Sequence, residues 1–488
     1  MSTEDWLNPS SIEEWWSSPS QQGIKRPYSA DTVASLRDVF PENHHSNAMA
    51  LKLRGIFERV QKDRSVNLTT SVIDPVTAQV MAEAGFETLY VSGGMSANTD
   101  TATDDPGPDL ADYTYDTVPK KVSTIYRSQL LHSRTARVNQ SGKEDIPLLP
   151  IIADADSGHG QHTAIMKLVK LFVQSGVSGF HLDDLVSGVK RHDGKDGLSS
   201  VLVPTNEYLR RLVAAKLQLD IMGSEVVSIA RTDAETATHI TSTIDHRDRP
   251  FILGATVPLP RHFIHTEGNS AREEWKREAK LSTLDEAFQK SHPDLYDQFI
   301  SQTQKMNVAE ALSVAHRLVP AFYWNYENPR TSEGWYAFKG GIEAALSRAN
   351  AAANISDAVW ACAHKYKADE AQRFATGVQE VHPGKWMAYN ITGGFPEDGS
   401  ADEEVKKIPS YLASIGYVWQ FLPIAGLTAV GHGSQRAMKA IKEDGLYGYL
   451  SKVSRPAARH ADGTSPEWWW KIMGKLADDA ADAIGEGL

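Results

Sequence analysis

Short apolar or β-branched runs recur along most of this chain, each closing on polar or small residues. They are LTTSVID (68–74), TLYVSGG (88–94), LLPIIADAD (148–156), GFHLDD (179–184), VVSIARTD (226–233), AVWACAH (358–364), WMAYNIT (386–392) and YVWQFLP (417–423). Most are separated by helix patterns such as DPVTAQVMAEAG, HTAIMKLVKLFVQSG and TNEYLRRLVAAKLQLDIMG. In each of these, apolar residues return at three and four positions and a glycine stops the helix. Strand and helix in alternation call for a parallel sheet, since parallel neighbours need a crossover long enough to hold a helix. Eight such strands predict an α/β fold of the (β/α)8 TIM-barrel type, with functional residues at the C-terminal ends of the strands.

Two stretches break the rhythm and set the expected organisation. Residues 1–65 read as an N-terminal helical segment carrying Trp6, Trp15 and Trp16, and residues 66–256 as the first part of the barrel. Within that part, residues 95–145 hold the loop DDPGPDLADYTYDTVP and a helix-like segment. Residues 257–345 form a charged helical insertion, and residues 346–428 complete the barrel. Residues 429–488 read as a C-terminal helical region with WWW at 468–470, an apolar anchor for a neighbouring subunit or for its own barrel.

The overall balance narrows the partners. Lys and Arg number 50 against 62 Asp and Glu, a net charge of −12, with no basic block. Nucleic acid and anionic membrane surfaces are therefore not expected partners. The single cysteine, Cys362, excludes an internal disulfide and suits a reducing compartment. No run of about 18 apolar residues predicts a spanning helix. The start, MSTEDWLNPSSIEEWW, lacks a signal or transit layout and the end, AIGEGL, matches no SKL- or KDEL-type address, so the expected location is cytoplasmic.

A barrel gathers its strand ends at one mouth. There stand Ser92, Gly93 and Gly94; Asp154 and Asp156; His181, Asp183 and Asp184; Arg231 and Asp233; and Asn390 and Thr392. Asp154 and Asp156 end an apolar run and are followed by Ser157, Gly158 and Gly160. Like charges so close need a cation or solvent between them. Several carboxylates with few sulfurs favour a hard, oxygen-preferring divalent ion, Mg²⁺ or Mn²⁺. Arg231 can then clamp a substrate carboxylate, and metal with arginine around a 2-oxo or 2-hydroxy acid suits enolate chemistry. Taken singly, each signal has a plainer reading: an Asx turn for the paired aspartates, a satisfied core histidine for His181, a buried ion pair for RTD.

These residues carry a resemblance to the isocitrate lyase family, in its longer eukaryotic-type form, within the isocitrate lyase/phosphoenolpyruvate mutase superfamily. It runs from IKRPYSADTVASLR (24–37) through YVSGG, DDPGPDLADY, ADADSGHG, IARTDAETATHITSTIDHRD and NPRTSEGWYAFKGG (328–341) to GYVWQFLPIAG (416–426). The resemblance implies a (β/α)8 barrel, Mg²⁺, and a homotetramer whose C-terminal helices are exchanged between subunits. Asp154 matches the direct metal ligand, and Asp156, Asp109 and Asp183 match carboxylates that hold the ion, mostly through water. Ser92, Gly93 and Arg231 match groups that hold the 2-oxo acid product.

The departures fall on the other product. In place of the family's Lys-Lys-Cys-Gly-His loop stands VKRHDGKDGLSSVLVP (189–204), which has no cysteine and has His192 nearest its place. A tryptophan has become Gly94; the family's Asn-x-Ser-Pro-Ser-Phe reads NITGGF (390–395), keeping Asn390 and Thr392 but with Gly394 for the second serine. A threonine has become Pro423 and a glutamate Cys362. Lost hydroxyl donors weaken carboxylate binding, at roughly 1.5–3 kcal/mol per bond to a charged group. The expected enzyme is a Mg²⁺-dependent carbon–carbon lyase, or the reverse condensing enzyme, acting on a 2-hydroxy di- or tricarboxylic acid other than isocitrate, such as 2-methylisocitrate or a bulkier analogue. Arg231, Asp156, His181 and His192 are its candidate catalytic residues; Ser92, Gly93, Gly94, Arg231, Asn390 and Thr392 bind substrate. His192 has the pKa range for proton transfer at neutral pH, in a glycine-rich loop able to act as a lid. Two other readings stand beside this one: a cysteine-independent hydrolase or mutase on an oxo acid or phosphonate, and a catalytically inactive paralogue.

Overall fold

A computed structural model describes residues 3–99, 111–139, 148–189, 200–363, 365–391 and 402–456. Eight parallel strands form one sheet: β1 (Leu68–Thr70), β2 (Leu89–Val91), β3 (Ile151–Asp154), β4 (Gly179–Leu182), β5 (Val227–Thr232), β6 (Ala358–Ala361), β7 (Trp386–Asn390) and β8 (Tyr417–Leu422). Each pairs with its neighbour in chain order, and β8 returns to β1, with Leu68 opposite Gln420. A parallel bridge from Ser71 to Tyr90 joins β1 to β2 and closes the ring. The eight strands fall within the eight segments read from the sequence, and the fold is the expected barrel.

The apolar runs are continuous because each strand is buried on both faces. Leu89, Val91, Ile151, Ala153, Phe180, Leu182, Val359 and Met387 face outwards into the core shared with the surrounding helices. Alternate residues, Tyr90, Ile152, Val227, Ile229, Ala358, Trp360, Ala388, Trp419 and Phe421, fill a separate inner core. The helix His45–Asp63 supplies Leu53, Ile56, Phe57 and Val60 to that inner core and plugs the barrel where the strands begin. It fits closely: a Cβ on Gly179, the first residue of β4, would sit 3.1 Å from Leu53 Cδ2 and 3.2 Å from the Val227 carbonyl. Arg54 on the same helix pairs with Asp357 at 2.9 Å, just before β6. The bottom is thus sealed, and open chemistry is left to the other end.

The helix punctuation follows its local cause. Asp74 caps Pro75–Glu83 by accepting from the Thr77 N–H at 2.7 Å. Gly176, at φ 94°, ends His162–Ser175 in the left-handed conformation that disfavours other residues. Between β5 and β6 come the helices Asn269–Ala279, Leu284–Ser291, Tyr296–Thr303 and Val308–Leu318, two of them opened by capping boxes at Thr283 and Asn307. Short strands at His239–Ile240, Tyr336–Ala337 and Val201–Leu202 join this insertion to the chain that follows β4. After β8 the helix Ala425–Tyr449 leaves the barrel, with Met438, Leu446 and Tyr447 all more than half exposed.

Candidate active site

The paired aspartates are arranged by a tight turn. Asp154 is the last residue of β3 and faces inwards; the Asp156 N–H donates to its Oδ1 at 2.9 Å. Asp156 (φ 44°), Gly158 (φ 86°), His159 (φ 53°) and Gly160 (φ 151°) all take positive φ, which explains the loosening into small residues after the second aspartate. The plain Asx-turn reading is therefore true, and it also aims both carboxylates at one point. Gly93, just past β2, donates its N–H to Asp154 Oδ2 at 3.1 Å. A Cβ there would lie 2.6 Å from Asp156 Oδ2 and 3.0 Å from Asp154 Oδ2, and would collide with the Tyr113 hydroxyl. Only glycine fits this cradle.

Further hydrogen bonds orient the group. Tyr113 donates its hydroxyl to Asp156 Oδ2. The Tyr90 hydroxyl reaches Asp154 Oδ2 at 3.3 Å and His181 Nε2 at 3.0 Å, while His181 Nδ1 stands 3.4 Å from Asp154 Oδ1. Asp183, on the same inward face as His181, is fully buried and donates its N–H to the Asp156 carbonyl at 2.8 Å. Ser92 is buried beside Gly93 and caps the Met95 N–H, and Gly94 is buried in the helix Gly93–Thr99. Asp184, grouped with the mouth residues in the sequence, faces the other way. Its carboxylate pairs with Arg348 at 3.0 Å and accepts from Thr232 and the Asp233 N–H. It is a strut between strand and helix, because neighbouring residues on a strand point to opposite faces.

Arg231 projects inwards from β5 and is only 4% exposed. Its Nε and Nη2 grip Asp233 at 2.8 and 2.9 Å, so the side-on fork is used inside the protein. The substrate clamp expected from the sequence is thus left to the end-on edge. There Nη2 reaches Cys362 Sγ at 3.5 Å, and the guanidinium lies 4.6 Å from the Trp360 ring centre. Burial alone would lower its pKa, but Asp233, Cys362, Asp183 and Asp154 together raise it well above the ordinary value, so it stays charged. Behind Asp233, burial and the Glu370 carboxylate push Glu235 up to about 7, against Lys367.

On the far side, Asn390 ends β7 with its amide engaged by the β6 end. Its Oδ1 accepts from Trp360 Nε1 at 2.8 Å and the Ala363 N–H at 3.0 Å, and its Nδ2 donates to the Ala363 carbonyl at 2.7 Å. Asp109, His192, Thr392 and Gly394 lie outside the described residues. Tyr90 and Tyr113 were missed as site residues. Tyr90 was within reach of the sequence, since it sits two residues before Ser92 and so shares its face; Tyr113 gave no such signal.

Asp154, Asp156 and Asp183 offer buried oxygen donors, and they fit a hard divalent cation. Among the described residues no three His, Cys, Asp or Glu side chains converge closely enough to hold an ion by themselves.

Comparison with known proteins agrees with this geometry. The model of the isocitrate lyase family matches residues 8–469. The chain is 38% identical over 483 residues to the mitochondrial 2-methylisocitrate lyase of Schizosaccharomyces pombe, covering 94% of this chain and 92% of that protein. It is 36% identical over 527 residues to the isocitrate lyase of Oryza sativa subsp. japonica, covering 98% and 91%. In fold it is similar to an oxaloacetate acetylhydrolase structure (TM-score 0.51, 18% identity, covering 91% of this chain and 99% of that one). It is also similar to 2,3-dimethylmalate lyase (TM-score 0.50, 18% identity, covering 91% and 100%).

Proposed function

Because the chain belongs to the isocitrate lyase family and is a carbon–carbon lyase, we propose that it splits a 2-hydroxy acid other than isocitrate, with 2-methylisocitrate the leading candidate. The observation that carries this reading is the Gly93 cradle, with Asp154 and Asp156 around it and Arg231 charged nearby. Asp154 would hold Mg²⁺ or Mn²⁺ directly, with Asp156, Asp183 and Asp109 acting through water. When bound, the ion stabilises negative charge on the 2-oxo acid oxygens. Arg231 holds the substrate carboxylate, and Ser92, Gly93 and Gly94 line the same half. The hydroxyl proton passes to the hydrogen-bonded Tyr90–His181 pair as the carbon–carbon bond breaks. His192 returns a proton to the departing carbanion, and Thr392 and Asn390 border that product. The S. pombe relative bears the name of a 2-methylisocitrate lyase, and the substitutions at Gly94, Gly394, Pro423 and Cys362 favour the same class over isocitrate.

The test is purified protein with Mg²⁺ offered isocitrate and 2-methylisocitrate. Pyruvate and succinate should form from the second far faster than glyoxylate and succinate from the first. Equal or greater glyoxylate release would overturn the substrate assignment. Metal binding without turnover would point instead to an inactive paralogue, and turnover of phosphonates or oxo acids alone to a hydrolase or mutase. His192→Ala should lower kcat by roughly 10²–10⁴-fold with metal affinity unchanged.

The exposed Met438, Leu446 and Tyr447 support exchange of C-terminal helices in a homotetramer; light scattering on Leu446→Asp should show a smaller particle. No described helix is long and apolar enough to cross a membrane. One cysteine suits either the cytoplasm or the mitochondrial setting named for the S. pombe protein, and cell fractionation decides between them.

A further inference from the structure

We infer that Cys362 is a specificity-determining residue of the 2-oxo acid subsite, held against Arg231 by a brace from Asn390 and suited to an acid that carries a methyl group beside its carboxylate. The inference rests on the lyase reading above, and three observations carry it.

The first is the brace. Asn390 ties together Trp360, two residues before Cys362, and Ala363, one residue after it, through bonds of 2.7 to 3.0 Å. The Cys362 N–H continues the β5–β6 ladder by donating to the Thr232 carbonyl at 2.9 Å. Both sides of the cysteine are thereby fixed, and Trp360 in turn lies against the Arg231 guanidinium.

The second is how the guanidinium is used. Its planar fork offers a side-on pair, Nε with Nη2, and an end-on pair, Nη2 with Nη1. Asp233 takes the side-on pair, and Cys362 Sγ takes the remaining Nη2 hydrogen at 3.5 Å. The third is what is left. Arg231 Nη1 bonds to no acceptor among the described residues and is not one of their enclosed unsatisfied atoms, so it reaches the open mouth. A guanidinium edge open to the mouth can take a carboxylate. A carboxylate bound there comes to lie beside the sulfur, which occupies the place of its second oxygen.

A thiol in that place is small, weakly polar and polarizable, and packs well against a methyl group. A carboxylate side chain would repel the substrate carboxylate; the thiol does not. The subsite therefore favours a pyruvate-type product over glyoxylate.

Because Cys362 is the single cysteine of the chain, alkylation of the intact protein by iodoacetamide reads this position alone. With Mg²⁺ present, saturating pyruvate should slow labelling at least roughly tenfold. Calorimetry of pyruvate and glyoxylate should show wild-type protein preferring pyruvate, and Cys362→Ser should narrow that preference by roughly tenfold. An unchanged pyruvate-to-glyoxylate ratio in Cys362→Ser overturns the inference, whether or not the thiol is protected. So does labelling that proceeds at the same rate with and without bound pyruvate. Protection and a narrowed ratio in a protein that cleaves neither acid would keep the subsite and remove the lyase reading; cleavage of 2-methylisocitrate without them would do the reverse.

Discussion

On the β2–β5 side of the mouth, Asp154, Asp156 and Asp183 are buried close together, with one guanidinium already gripped by Asp233. On the β6–β7 side, Asn390 bonds to both Trp360 and Ala363, and Arg231 is met there by the single thiol and the Trp360 ring. The first side is built from charged side chains, so exchange of one of them alters the local charge. The second is nearly complete in itself, so exchange of a side chain there alters shape before it alters charge.

The largest effect should come from the charged side. Asp154→Ala is expected to abolish Mn²⁺ binding in calorimetry and to lower turnover by roughly 10³-fold. Binding that survives would show that these carboxylates are not a metal site. Next comes Gly93→Ala, which forces a Cβ into the space between Asp154, Asp156 and Tyr113. A shift of about 1 Å in such a group costs roughly 10²-fold in rate, and a crowded site loses about 1–3 kcal/mol of stability. Steady-state kinetics and thermal unfolding measure the two separately.

The β6–β7 side should respond mainly in stability. Asn390→Ala leaves Trp360 Nε1 and the Ala363 backbone groups without their acceptor and donor, at about 1–3 kcal/mol for each buried group. Tm should fall by several degrees. Asn390→Asp keeps the Oδ1 acceptor but sets a buried carboxylate oxygen against the Ala363 carbonyl, so it should not restore Tm. A rate loss as large as that of Gly93→Ala, with Tm unchanged, would erase the contrast between the two sides.

The smallest effect concerns Glu235, behind Asp233. Its carboxyl is raised from an ordinary 4.5 to about 7, so between those values the folded state binds more protons than the unfolded one. Its contribution to stability is therefore greatest below about pH 4.5 and is lost as the pH rises through 7. His239, lowered to about 4 by burial, acts in the opposite sense: its contribution is lost as the pH falls from 6.5. The informative quantity is thus the difference between Glu235→Gln and wild type. The variant should gain a few degrees of Tm relative to wild type at pH 8 and lose that gain at pH 5. A constant difference would refute the raised carboxyl.

Much of this was readable in advance. All eight strands fall within apolar runs of the sequence, because a strand buried on both faces has no polar alternation to blur it. The glycine after His162–Ser175 takes the left-handed conformation the helix end requires. Asp154 and Asp156 stand at a strand end as expected, and alternation could also have turned Asp184 away from the mouth and Tyr90 towards it. Tyr113 and the brace made by Asn390 had no such signal, since neither has a local pattern that names its partner.

What the sequence by itself determined is the order of strands and helices, the placing of carboxylates and Arg231 at strand ends, and the family. These depend on periodicity and on residues adjacent in the chain. The tertiary structure alone decided which partner each polar group takes. Tyr113 meets Asp156 across 43 positions, Tyr90 meets His181 across 91, and Arg231 meets Cys362 across 131. Such contacts exist only once the ring closes and the inner core sets the depth of each strand. Until then a buried hydroxyl, imidazole or guanidinium has many acceptors within reach, and its physical requirement is only that it find one.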